Sequence, residues 1–128
     1  MVEEIDKLFV DENQTTDSVL LVSVLENFVQ LTTSGTIHFL PNFMKLGTTS
    51  KILVVLLAKK AMAMKISGYN ESTSPKEVQQ LTGLSVGSTN PSLRALAEKR
   101  LVISNNGAYN IPAFAMPSVK ELLDRDLK

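Results

Sequence analysis

Ser74-Pro75-Lys76-Glu77-Val78-Gln79-Gln80-Leu81-Thr82-Gly83-Leu84-Ser85-Val86-Gly87-Ser88-Thr89-Asn90-Pro91-Ser92-Leu93-Arg94-Ala95-Leu96-Ala97-Glu98-Lys99-Arg100-Leu101-Val102 is the stretch whose reading decides the fold. Its first four residues are a helix start. A serine caps, a proline sits where the N–H would have no helical partner, and a glutamate three residues on completes a capping box. A short helix over Lys76 to Leu81 follows, then the glycine turn Thr82-Gly83-Leu84-Ser85. The next helix runs to about Lys99 with Leu93 and Leu96 on its inner face. Beyond it, Leu101-Val102-Ile103 and Ala108-Tyr109-Asn110-Ile111 are short apolar runs around Ser104-Asn105-Asn106-Gly107, and Asn-Gly is a strong hairpin-turn signal.

Working outward, the Thr48-Thr49-Ser50 cluster after Gly47 predicts the cap of a long helix. In it Ile52, Leu53, Leu56, Leu57, Met62 and Ile66 face inward, while Lys51, Lys59, Lys60 and Lys65 remain wet. It ends at Ser67-Gly68, and a polar loop reaches Thr73. Further upstream, Thr16 or Asp17 caps an apolar helix over residues 17–33, carried by Val19, Leu20, Val22, Val24, Leu25, Phe28, Val29 and Leu31. Thr36-Ile37-His38-Phe39-Leu40 reads as one strand, followed by a turn or helical fragment from Asn42 to Leu46. Residues 1–14 read as an acidic tail or a short frayed helix. Downstream, Val119, Leu122 and Leu123 form the stripe of a C-terminal helix near 118–126.

The expected fold is therefore mainly α with a small β-wing. Helix, helix, turn, helix, hairpin is the order of a winged helix-turn-helix, here over residues 48–112, with flanking helices in 15–47 and 113–128. The run from Val86 to Val102 resembles the recognition helix of PadR-type winged-helix repressors. In that family a glycine and a small residue precede an aromatic-proline pair, then come a leucine, a basic position and a closing Gly-Leu-Ile. Here Gly87-Ser88, Pro91, Leu93 and Arg94 match; Asn90 stands where the aromatic is usual, and Arg100 replaces the glycine. Arg100 then needs either a left-handed backbone or one more helical turn. The general layout, with a helix, a strand and a long helix ahead of the motif, also resembles archaeal winged-helix proteins of unassigned role. Both resemblances imply binding of double-stranded DNA, on about half of the chain.

A helix that enters the major groove needs small polar side chains near its N-terminal end, so that base edges are reachable. Ser88, Asn90, Ser92 and Arg94 on helix 86–99 meet that description, although capping alone also selects Ser88 and Asn90. Ser74 and Lys76 would meet a phosphate at the positive end of the preceding helix. Lys99 and Arg100 extend the same contact, and Asn105 and Asn106 at the wing tip reach towards the minor groove.

Charge supports this reading only through its distribution, because the chain as a whole is neutral. Residues 1–47 carry seven acids and two bases, a net of −5, whereas residues 48–112 carry eight bases and three acids, a net of +5. Lysines on the long helix read more readily as a solvated face than as a phosphate track. There is no cysteine and only one histidine, His38, which stands without a partner and is given no role. No phosphate loop, carboxylate pair or metal-ligand spacing is visible, so neither an enzyme, a cofactor nor a metal is expected. Met62, Met64 and Met116 read as core filler rather than an effector pocket. Val19 to Val24 and Ile52 to Ala58 fall far short of the roughly 20 residues a bilayer requires, and Met-Val-Glu-Glu-Ile-Asp lacks a signal peptide's basic start. A cytoplasmic transcriptional regulator, dimeric through its flanking helices, is the expectation. A protein-interaction module in a larger assembly, without direct DNA contact, is the alternative.

Overall fold

The structure is a computed structural model and describes residues 18–126; the acidic stretch 1–14 and the expected cap at Thr16 or Asp17 lie outside the described residues. In chain order it has α1 (Ser18–Leu25), β1 (Val29–Leu31), β2 (Ile37–Phe39), α2 (Pro41–Met44) and α3 (Thr48–Lys65). Then come α4 (Pro75–Thr82), α5 (Val86–Glu98), β3 (Ile103–Asn105), β4 (Ala108–Asn110), a 3-10 turn (Ala113–Ala115) and α6 (Met116–Asp126). The fold is mainly helical with two small antiparallel hairpins, β1 with β2 and β3 with β4.

α3 is the element around which the others are laid. Every residue from Ile52 to Lys60 is buried, so the helix has no solvated face over more than two turns. It packs against α1, β1, α4, α5, β4 and α6. The core is completed by Phe28 and Val29 from the first hairpin and by Val78, Leu93 and Leu96 from α4 and α5. Ile111, Val119 and Leu123 close it from the C-terminal side.

The expected placing of the α3 lysines is corrected here: Lys59 and Lys60 are not wet but 6% and 5% exposed. An ammonium taken out of water needs an opposite charge. Lys60 Nζ lies 2.9 Å from Glu71 Oε2. Lys59 pairs with Glu77 of α4 and sits 4.9 Å from the Tyr69 ring centroid. Burial works against the Lys59 charge, but the Glu77 carboxylate and the Tyr69 hydroxyl outweigh it and raise its pKa above the ordinary lysine value. The cap of α3 also differs from expectation. Gly47 is the N-cap and makes no side-chain cap bond, while Thr48, Thr49 and Ser50 form the first turn itself.

The helix expected over 17–33 stops at Leu25, and its second half is a strand. Val29 pairs with Phe39, Gln30 with His38 and Leu31 with Ile37. Thr32 fixes the intervening turn by accepting the Thr36 N–H at 3.0 Å, and Gly35 takes φ 95°. The Thr-Thr-Ser-Gly run favours that turn over helix, and buried Val29 beside exposed Gln30 shows the alternation of a strand.

Downstream of α3, Thr73 exchanges both backbone hydrogen bonds with Tyr109, each 2.8 Å. This bridge stitches the entry to α4 onto the second hairpin. Asn106 and Gly107 at the tip of that hairpin have φ 53° and 81°, the two positive values a two-residue type I′ turn needs. α6 buries Met116, Val119 and Leu123, so its apolar stripe is spent within the chain.

The Lys59–Glu77 pair gives a directional prediction. Glu77→Ala strands an ammonium in the core, whereas Lys59→Met leaves Glu77, 40% exposed, to be solvated. In urea unfolding Glu77→Ala is expected to cost on the order of 2–3 kcal/mol and Lys59→Met about 1 kcal/mol. Because the folded lysine pKa is raised, its contribution is complete below the unfolded value of about 10.4 and disappears as pH climbs through the folded one. Wild-type stability should therefore fall more steeply than that of Lys59→Met in alkaline melts. Parallel curves would remove this role.

Candidate nucleic-acid interface

Half of the expected capping box forms at the start of α4: Ser74 Oγ accepts the Glu77 N–H at 3.2 Å and Pro75 is the first helical residue, but the Glu77 carboxylate pairs with Lys59 instead of reaching back to the Ser74 N–H. Gly83 ends it with φ 77°, and its N–H donates to the Gln79 carbonyl. Only Gly83, Leu84 and Ser85 separate the two helices, a length suited to two helices meeting at a steep angle. α5 then starts on Ser85, whose Oγ accepts the Ser88 N–H at 3.2 Å. Thr89, Leu93 and Leu96 are buried, which fixes which side of α5 looks outward.

That outward side is Gly87, Pro91, Arg94, Ala95 and Glu98, all exposed. The spacing is helical, and the side chains at Gly87, Pro91 and Ala95 are small enough for close approach by another surface. Arg94 is the one cation among them and Glu98 the one anion. Of the residues singled out from sequence, Ser74, Lys76, Arg94, Lys99, Arg100, Asn105 and Asn106 are exposed, whereas Ser88, Asn90 and Ser92 are half-buried.

Residues two apart on a helix point some 200° apart, so Ser88 and Ser92 lie on one flank of the outward face of α5 and Asn90 on the other. Asn90 Oδ1 is buried without a hydrogen-bond partner. A bidentate contact with adenine needs both halves of the amide, and here the acceptor half is turned into the protein. Gly87 and Pro91 entered the sequence reading only through the PadR-type resemblance, and Ala95 and Glu98 were not singled out, because none is a typical base-reading side chain. Their i, i+4, i+8 and i+11 spacing was the available signal.

The end of α5 carries a second cationic group. Leu101 N–H donates to the Leu96 carbonyl and Arg100 N–H to the Ala97 carbonyl, both at 3.0 Å. This is a Schellman cap, and Arg100 occupies its left-handed position with φ 63°. Of the two conformations open to it, the left-handed one is adopted. Lys99 and Arg100 thus emerge together, exposed, where a glycine would have terminated the helix without strain.

The ion pairs beneath this surface occupy two of its acids without changing its net sign. Of the three acids in 48–112, Glu71 and Glu77 are bound to Lys60 and Lys59, and Glu98 alone stands on the α5 face. Lys76, Arg94, Lys99 and Arg100 therefore face water with a single acid among them. Glu77 in the first turn of α4 is neutralised from below, which leaves that helix end available to an external anion. Among the described residues no group of three or more His, Cys, Asp or Glu could hold a metal ion, and no helix is long and apolar enough to cross a membrane. Comparison of the chain with protein-family models, curated proteins and solved structures returned no match.

Arg100 in a left-handed conformation costs about 1 kcal/mol relative to glycine. Arg100→Gly is expected to raise stability by about that amount in thermal or urea unfolding. A lowered midpoint would show that the arginine stem stabilises the helix end more than its backbone strains it.

Proposed function

We propose that this chain is a winged helix-turn-helix protein that binds double-stranded DNA, with α4 and α5 as the helix-turn-helix and β3–β4 as the wing. What carries the reading is the cationic set Lys76, Arg94, Lys99 and Arg100 around two capped helices, with two of the three nearby acids held in ion pairs below. In this reading α5 lies in the major groove on its small-residue face, where Arg94 contacts a guanine edge. Ser74 and Lys76 hold a phosphate at the N-terminus of α4, and Lys99 and Arg100 hold another at the end of α5. The role is that of a transcriptional regulator. The PadR-type resemblance of residues 86–102 supports the same assignment.

The expected homodimer rests on α1, since α6 buries its apolar stripe internally. Val19 and Val22 of α1 are 79% and 58% exposed and Met64 at the end of α3 is 49% exposed. Val22 and Met64 line a groove of about 410 Å³ that includes Leu21, Leu25, Val29 and Leu31. A second copy packed there would set two α5 helices on a two-fold axis. Light scattering on the intact chain should give twice the chain mass, and Val22→Glu should halve it. A wild-type mass of one chain would remove the dimer.

One observation favours protein docking through the same face: α5 itself is electrically balanced outward, and the wing carries exposed Ile103 and no basic residue at its tip. Fluorescence anisotropy with a mixed-sequence duplex at two salt concentrations separates the two readings. DNA binding predicts affinity that falls steeply with salt. Arg94→Ala should lose about 1–3 kcal/mol, and Lys76→Ala should shallow the log–log salt slope by about 1. No anisotropy change at the lower salt would replace the DNA reading by the docking one.

A further inference from the structure

The first turn of α3 and the last turn of α6 meet at a cleft that the DNA reading does not use. It has a volume of about 570 Å³ and is lined by Gly47, Thr48, Thr49, Ser50, Lys99 and Arg125 with Leu122 and Asp126. α3 is 18 residues long, so its N-terminus carries a full helix dipole. The Gly47 N–H donates to Asp126 Oδ2 at 2.9 Å. Those of Thr48, Thr49 and Ser50 have no carbonyl four residues back within the helix to receive them.

A second feature of the cleft points to a ligand independently. Ser50 is only 3% exposed and lines the cleft, and among the described residues its hydroxyl makes no side-chain hydrogen bond. A serine in the first turn of a helix ordinarily bonds to a nearby backbone group or to water. Here it lines the cleft beside three free N–H groups. Lys99 and Arg125 supply two positive charges to the same wall, against the one negative charge of Asp126. Arg125 is only loosely engaged elsewhere, 3.7 Å from Glu121.

We propose that this cleft binds an oxyanion of the phosphate class. The N–H groups of Thr48, Thr49 and Ser50 and the Ser50 hydroxyl donate to its oxygens, and Lys99 and Arg125 neutralise its charge. Asp126 has a defined part. By accepting the Gly47 N–H it ties the end of α6 to the start of α3, which brings Arg125 to the wall; its own charge then keeps the affinity down. The site needs no duplex, and only Lys99 is shared with the proposed DNA surface. A phosphate could arrive free, as inorganic phosphate or a small phosphorylated ligand, or as part of a nucleic-acid backbone.

The test is a titration of the intact chain with inorganic phosphate at constant ionic strength, read from the backbone amide resonances of Thr48, Thr49, Ser50 and Lys51. The expected result is a saturable shift centred on these amides. Ser50→Ala and Lys99→Gln should each weaken it about five- to tenfold. Asp126→Asn keeps the acceptor for Gly47 while removing the charge, and should strengthen binding about three- to tenfold. Non-saturating shifts scattered over surface lysines, or unchanged affinity in both Ser50→Ala and Lys99→Gln, would overturn the proposal. A parallel titration with a short duplex identifies the source. Movement of the same amides assigns the site to a backbone phosphate, and movement with inorganic phosphate alone assigns it to a free ligand. A chain that binds phosphate but no duplex sinks the DNA reading and leaves this site standing.

Discussion

Two ammonium groups inside the protein govern how the rest is arranged. α3 is apolar enough to be surrounded, but the surrounding elements also cover Lys59 and Lys60, and a buried cation without a counter-charge costs more than several apolar contacts return. Glu71 and Glu77 meet that demand from the loop before α4 and from its first turn. The position of α4 along α3 is therefore set by charge as well as by Val78 burying into the core. α5 follows through a three-residue turn, and the second hairpin is tied back by the Thr73–Tyr109 bridge. A chain of constraints thus runs from two lysines to the orientation of the exposed face of α5.

The same pairs shape the electrostatics. Pairing two bases with two acids leaves the net charge of 48–112 unchanged at +5, but it ties both acids to buried ammonium groups. A neutral chain can in this way present a positive surface locally, because the phosphate backbone responds to charge within about a Debye length and not to the sum over the molecule. Arg100 fits this pattern. Its left-handed backbone costs stability that glycine would not, and it places a cation beside Lys99 at the end of α5.

Much of this was legible in the residues. Ser74-Pro75-Lys76-Glu77 marked a helix start because capping is a local bond between neighbours, and Asn106-Gly107 marked the hairpin because few residues accept two positive φ values. The conversion of residues 28–31 to a strand was not legible from apolar spacing, since Phe28, Val29 and Leu31 suit a helix face as well as a sheet. What decided it was pairing with Ile37 to Phe39, a non-local event. The burial of Lys59 and Lys60 was hidden for a similar reason. A lysine reads as wet until its partners, here 18 and 11 residues further on, are known to fold over it. At the site, Arg94 was found by residue type, while placing Gly87, Pro91 and Ala95 on one outward face required the angular register of α5.

That register bears on how α5 would recognise anything. Base-specific reading relies on long or bidentate side chains at the centre of the face, and α5 offers only Arg94 and Glu98 there. Small residues between them lower the cost of approach but carry little information. An interface of this kind draws its affinity from the cations at its two ends, Lys76 on one side and Lys99 with Arg100 on the other, and its selectivity from few base contacts. In the proposed DNA complex, the balance of end charge against a nearly neutral centre would make shape and backbone contact the main terms in binding, with Arg94 left to supply most of the sequence preference.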